Sequence, residues 1–146
     1  MDNDNAITLN ELLISREERA KKQKCLIQTY KANLISFMVN IPGAPKNTYT
    51  SRKLHHEGRD SLKKKLKESN INILYAASYY RVTGAETFIL SHADAIKLKE
   101  ISIHIENNHP LGRLFDFDVI NKDFTFISRT DVGYEKRKCL LCDEDA

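Results

Sequence analysis

Two aspartates carry the sharpest chemical signal in the chain. They fall in Gly112-Arg113-Leu114-Phe115-Asp116-Phe117-Asp118-Val119, where apolar and acidic residues alternate. A period of two predicts a strand, and residues two apart on a strand share a face. Two carboxylates on one face repel unless a cation lies between them. Hard oxygen ligands of this kind suit Mg2+, which binds through one or two carboxylates and completes its shell from substrate phosphates and water. Asp116 and Asp118 are therefore the expected metal ligands and the first catalytic candidates. Gly112 permits close backbone approach, and Arg113 offers a forked donor to phosphate. The competing reading is a solvated strand face of alternating charge. His109 abuts Pro110 and this turn, which makes it the third catalytic candidate. His55 and His56, within a helix, and His92, at the end of a hairpin, read as structural or surface residues.

A basic flank accompanies the acidic pair. Lys46, Arg52, Arg113, Arg129, Arg137 and Lys138 stand at the ends of expected elements, where sites form on a rigid scaffold. Arg16 falls on or beside the apolar stripe of the first helix, where a cation is costly unless it meets an anion, and Arg19 follows one turn later. Lys63-Lys64-Lys65 and Lys67 read as a solvated helix face able to steer an acidic partner. Cys139-Leu140-Leu141-Cys142 is half of a zinc or redox motif and weak alone. The chain carries no P-loop, no dinucleotide Gly-x-Gly-x-x-Gly turn, no Gly-x-Ser-x-Gly elbow and no His-Glu-x-x-His pair. This excludes P-loop nucleotide hydrolysis, dinucleotide redox chemistry and α/β-hydrolase chemistry.

The elements that must position these residues follow from periodicity and caps. Thr8-Leu9-Asn10-Glu11 is a capping-box pattern opening a helix over about 9–29, with a break expected near Lys21. Leu34–Ile41 predicts a strand that stops at Pro42-Gly43. Thr48–Ser69 predicts a second helix buried along Leu54, Leu62 and Leu66. Ile71–Tyr80 and Thr87–Leu90 pair as a hairpin across Thr83-Gly84. Residues 94–108 fit either period, and their length favours a helix that His109-Pro110 ends. Leu114–Ile120 is the aspartate strand, and a tight turn at 121–123 leads into Phe124–Ile127. The order is a helix, then β-α-β-β-α-β, then one strand more. That predicts an α+β fold with a mostly antiparallel sheet, nucleotidyltransferase-like or ferredoxin-like.

Composition sets the outer bounds. The chain has 146 residues, 41% hydrophobic and 29% charged, ordinary for one soluble globular domain over 1–146. Lys and Arg number 23 against 20 Asp and Glu, a formal +3, too weak to imply a nucleic-acid partner by itself. The acidic, polar start lacks an apolar signal region and no apolar run is long enough for a membrane span. With an odd cysteine count, this predicts a reduced, cytoplasmic setting. An RNA-binding module, prompted by the lysines and by Tyr75, Tyr79 and Tyr80, leaves the aspartate pair unexplained. A metal-stapled interaction domain at Cys139 and Cys142 is the other alternative.

Taken together, the residues resemble the citrate lyase holo-acyl-carrier-protein synthases, the apo-citrate lyase phosphoribosyl-dephospho-CoA transferases. The resemblance runs from Leu12-Leu13-Ile14-Ser15-Arg16-Glu17-Glu18-Arg19 through Pro42-Gly43, Lys46 and Arg52. It continues in Glu106, His109-Pro110-Leu111-Gly112-Arg113-Leu114-Phe115-Asp116-Phe117-Asp118-Val119, Ser128-Arg129 and Arg137-Lys138-Cys139-Leu140-Leu141-Cys142. It implies transfer of a prosthetic group from 2′-(5″-triphosphoribosyl)-3′-dephospho-CoA to a serine of the apo acyl carrier (γ) subunit of citrate lyase, with pyrophosphate released. An Mg2+-dependent nucleotidyl transfer to another acceptor is the alternative. On this reading Arg16, Arg19, Lys46, Arg52, Gly112, Arg113, Arg129 and Arg137 bind substrate, and Asp116, Asp118 and His109 are catalytic. The family runs further at its C-terminal end, so the resemblance also implies a chain short of that tail.

Overall fold

A computed structural model describes residues 7–41 and 48–138. Helix α1 (Leu9–Tyr30) precedes strand β1 (Asn33–Val39), helix α2 (Tyr49–Glu68), strands β2 (Tyr75–Arg81) and β3 (Gly84–Ser91), and helix α3 (Ala95–Asn108). A 3₁₀ turn (Gly112–Leu114), strand β4 (Phe115–Ile120) and the short strand β5 (Phe126–Ile127) complete the path to a second 3₁₀ turn, Thr130–Val132. The five strands form one sheet in the order β2-β3-β1-β4-β5, antiparallel at every pairing. The architecture is α+β, as the order of periodicities predicts.

Both faces of the sheet are covered. α2 and α3 supply Leu62, Leu66, Leu98, Ile101 and Ile105 against Ile35, Phe37, Ile89, Phe115, Phe117 and Val119. α1 covers the other face with Leu26 and Ile27 against Leu34, Phe88, Leu90 and Ile120. Gly58 lets α2 settle on the sheet, because a Cβ there would stand 2.2 Å from the Phe37 ring.

Several local expectations change. α1 runs unbroken through Lys21, its orphan amides served by Thr8, whose Oγ1 accepts from the Glu11 N–H at 3.0 Å. The Thr8 hydroxyl donates to the Glu11 carboxylate, so the return bond to the Thr8 backbone expected of a capping box is replaced. The reciprocal box forms instead at α2, between Thr48 and Ser51. The hairpin begins at Tyr75 rather than Ile71. The turn after β4 extends through Phe124, which adopts φ +66°, because Asn121 Oδ1 accepts from both Asp123 and Thr125 N–H. Only Phe126 and Ile127 remain to pair with β4.

Candidate functional site

β4 puts its phenylalanines and its aspartates on opposite faces. Phe115, Phe117 and Val119 enter the core beneath α2 and α3, while Asp116 and Asp118 stand on the α1 face. Their cross-strand partners are Met38 and Ser36 of β1. Asp118 is pushed up to about 6, first by the desolvating protein around it and next by the Asp116 charge; Lys99 and Arg19 pull the other way, and Glu106 adds to the rise. The carboxyl remains exposed, so the shift reflects crowding around an open group rather than enclosure.

The peptide between the two aspartates is held from outside the sheet. β5 reaches only as far as Val119, so the outer edge of β4 at Phe117 has no strand beside it. Helix α3 supplies substitutes: Lys99 Nζ donates to Phe117 O at 3.1 Å, and Glu106 Oε2 accepts from Phe117 N–H at 3.1 Å. Both side chains are buried.

A cleft of about 310 Å³ opens between the N-terminal half of α1 and the end of the sheet, lined in part by Ser15, Arg16, Arg19, Asn40, His55 and Asp116. The underside of α1 is polar here. Ser15 bonds Thr83 at 2.8 Å, and Gln23 Nε2 donates to Ser36 Oγ at 3.0 Å. Arg19 lies against Met38 Sδ and pairs with Glu86 at 3.3 Å. Glu86 is 1% exposed and also takes Arg81 at 2.9 Å, which in turn reaches Glu18. Arg16 is exposed and makes no ion pair among the described residues. Arg16, Arg19 and Asp116 thus meet at one cleft.

The other expected site residues gather elsewhere. Arg129 donates to Glu106 Oε1 at 2.7 Å. Arg137 reaches Glu106 Oε2 at 3.4 Å and the carbonyls of Phe115, Gly112 and Arg113 at 2.8–3.1 Å. Gly112 packs on the end of α3, where a Cβ would stand 2.2 Å from Glu106 O; the glycine serves a backbone–backbone approach. His109 Nδ1 accepts from Leu111 N–H at 2.9 Å, its ring lies 4.9 Å from that of Phe115, and Nε2 is 3.9 Å from Glu57. Arg113 donates to Lys138 O at 2.9 Å. Arg52 is exposed in the first turn of α2, where its neighbour Ser51 lines the cleft. Lys46, Cys139 and Cys142 lie outside the described residues.

His55, which the sequence reads as structural or surface, lines the cleft, and Glu86, which no sequence signal marks, stands behind Arg19. His55 follows Ser51 by one helical turn and precedes Gly58, Leu62 and Leu66 on the buried stripe of α2. That spacing is the one signal the sequence held for its burial. Its Nε2 lies 2.7 Å from Thr87 Oγ1. Burial, then the charges of Arg59 and His56, lower it to about 4 against a smaller opposing effect of Asp60, so the ring is neutral at pH 7.

Among the described residues no helix is long and apolar enough to cross a membrane. A family model described as apo-citrate lyase phosphoribosyl-dephospho-CoA transferase matches residues 7–146. The chain is 34% identical over 141 residues to a protein of that name from Escherichia coli O7:K1, covering 97% of this chain and 77% of the relative. Relatives of the same name from Escherichia coli O1:K1 and Citrobacter koseri are 33% identical over the same shares.

Proposed function

The chain belongs to the apo-citrate lyase phosphoribosyl-dephospho-CoA transferase family and is a transferase; from that premise we propose that it moves the phosphoribosyl-dephospho-CoA group from its triphosphoribosyl donor to a serine of the apo acyl carrier (γ) subunit of citrate lyase. The serine oxygen forms a bond to the phosphorus next to the ribose. The bond from that phosphorus to the bridging oxygen breaks, and pyrophosphate leaves with the electron pair. The observation that carries this reading is the aspartate pair of β4 standing on the face where Arg16 and Arg19 line a cleft.

The donor set fits Mg2+. Asp116 and Asp118 offer hard oxygens on one face, and the Asp116 charge, after desolvation, helps to raise Asp118; a cation between them would relieve that repulsion. Two carboxylates would leave the rest of the Mg2+ shell to substrate phosphates and water. Bound there, Mg2+ would neutralise charge on the transferring phosphoryl oxygens. Arg16 and Arg19 bind the terminal phosphates and orient the leaving group, and Glu86 keeps the Arg19 guanidinium aimed. One of the two aspartates, or His109 through a water, takes the serine proton.

The unit from β1 to β4 is ferredoxin-like on this reading, supported by its strand order β2-β3-β1-β4 with β5 added outside β4. Intact-mass measurement of the acyl carrier after incubation with donor tests the reaction. A mass gain equal to the prosthetic group on one serine is expected. An unmodified carrier beside a folded enzyme would reject it.

A further inference from the structure

The least explained atom in the cleft is a histidine nitrogen. His55 is 1% exposed, and its Nδ1 has no hydrogen-bond partner. A buried polar atom left unpaired costs about 1–3 kcal/mol, so one kept in a cleft calls for an explanation, and a bound ligand atom is one. The ring lies flat against Phe37 and is fixed at its far nitrogen by Thr87. The cavity it lines also holds Arg16 and Arg19.

We propose that His55 is a ligand-binding residue whose Nδ1–H donates a hydrogen bond to a phosphate oxygen of the molecule in the cleft. The hydroxyl chain behind the ring settles the direction. Thr87 Oγ1 lies 2.7 Å from His55 Nε2 and 2.8 Å from Ser78 Oγ. When Ser78 donates to Thr87 and Thr87 donates to Nε2, the proton of the neutral ring resides on Nδ1. The reversed chain leaves a lone pair on Nδ1, which an anion repels. A phosphate therefore selects the first arrangement, and the relay costs nothing to turn because each hydroxyl both donates and accepts. Arg16 and Arg19 supply charge; the neutral imidazole supplies direction.

The inference rests on reading the cleft as the phosphate end of the donor site, and the test separates the two. Inorganic tripolyphosphate is titrated into the full chain carrying 15N-labelled histidine. The expected result is a saturable shift of the His55 Nδ1 resonance, with that nitrogen protonated in the bound state. A resonance that stays still while Arg16→Ala or Arg19→Ala abolishes tripolyphosphate binding overturns the His55 contact and leaves the cleft reading intact. Binding indifferent to both arginines overturns the cleft reading and the contact with it. Variants give a second check. Asn places a donor where Nδ1 stands, whereas Gln reaches toward Thr87. His55→Asn should keep tripolyphosphate affinity within about threefold, and His55→Gln should lose about tenfold, the worth of one hydrogen bond to a charged group. The opposite order would assign His55 to support of Thr87 alone.

Discussion

Two groups of arginines flank the aspartate strand, and they live in different company. Arg129 and Arg137 converge on Glu106, which is 5% exposed and also holds the Phe117 amide. Arg16 and Arg19 face a cleft, and Arg16 has no carboxylate against it among the described residues. The lesson concerns what a basic residue next to an acidic motif is for. A guanidinium whose donors are met by a buried carboxylate and three carbonyls has little left for a ligand. Arg16, which lines a cavity without an ion pair among the described residues, has most of its capacity in reserve, and Arg19, tied at one nitrogen to Glu86, lies between the two cases. By residue type the four are alike; by partner Arg129 and Arg137 form a brace on Glu106, and Arg16 and Arg19 face the cleft proposed to receive the donor.

The strongest way to break that division is through the strand between the groups. Asp116→Asn and Asp118→Asn are each expected to lower turnover by two or more orders of magnitude, about 2.7 kcal/mol or more of transition-state stabilisation. Folding should survive, because one of two repelling charges is removed. Near-normal turnover in either variant would detach the cleft from the chemistry. Next in size, Arg137→Ala should destabilise the fold by about 2 kcal/mol or more, since a buried carboxylate loses a partner. Chemical denaturation reads this directly, and unchanged stability would mean the brace holds nothing. Gly112→Ala should cost about 1–3 kcal/mol for the same region, because its Cβ would press on the α3 carbonyls. Arg16→Ala sharpens the other half: donor affinity should fall about tenfold, the worth of one charge-assisted hydrogen bond, with the melting temperature unmoved. A melting shift without an affinity loss would place Arg16 in the brace class.

The smallest expected effect is a slope. Asp118 titrates near 3.8 unfolded and near 6 folded, so between those values the folded chain binds more protons. Its stability should therefore fall as pH rises through that window. Metal-free Asp118→Asn should gain on the wild type over the same interval. Parallel stability curves for the two would mean Asp118 is not crowded as its surroundings imply.

Much of this was legible in the residues. Alternation in Phe115–Ile120 assigned the aspartates to one face, and helical spacing with cap residues set the element order. The underside of α1 was not legible. Leu9 and Leu13 recur at the spacing of a buried stripe, yet they are 72% and 47% exposed while Ser15 and Gln23 are buried. Those polar residues are buried because Thr83 and Ser36 meet them from distant parts of the chain, and periodicity carries no information about such partners. The same holds for Glu106. A carboxylate near the end of a helix reads as solvated until Arg129, Arg137 and the Phe117 amide are brought to it. For His55, read as structural or surface, the sequence could not supply the hydroxyl partner Thr87, 32 positions away.

The uneven underside of α1 has a consequence for motion. Its C-terminal half is seated by Leu26 and Ile27 in apolar contact, whereas its N-terminal half is attached through hydroxyl and guanidinium contacts that water can replace. Opening free energy along one helix then rises from the first turn to the last. Amides that follow Ser15 should exchange with solvent sooner than those near Ile27. The expected result is a helix that loosens first at the end bordering the cleft and last at the end seated in the core.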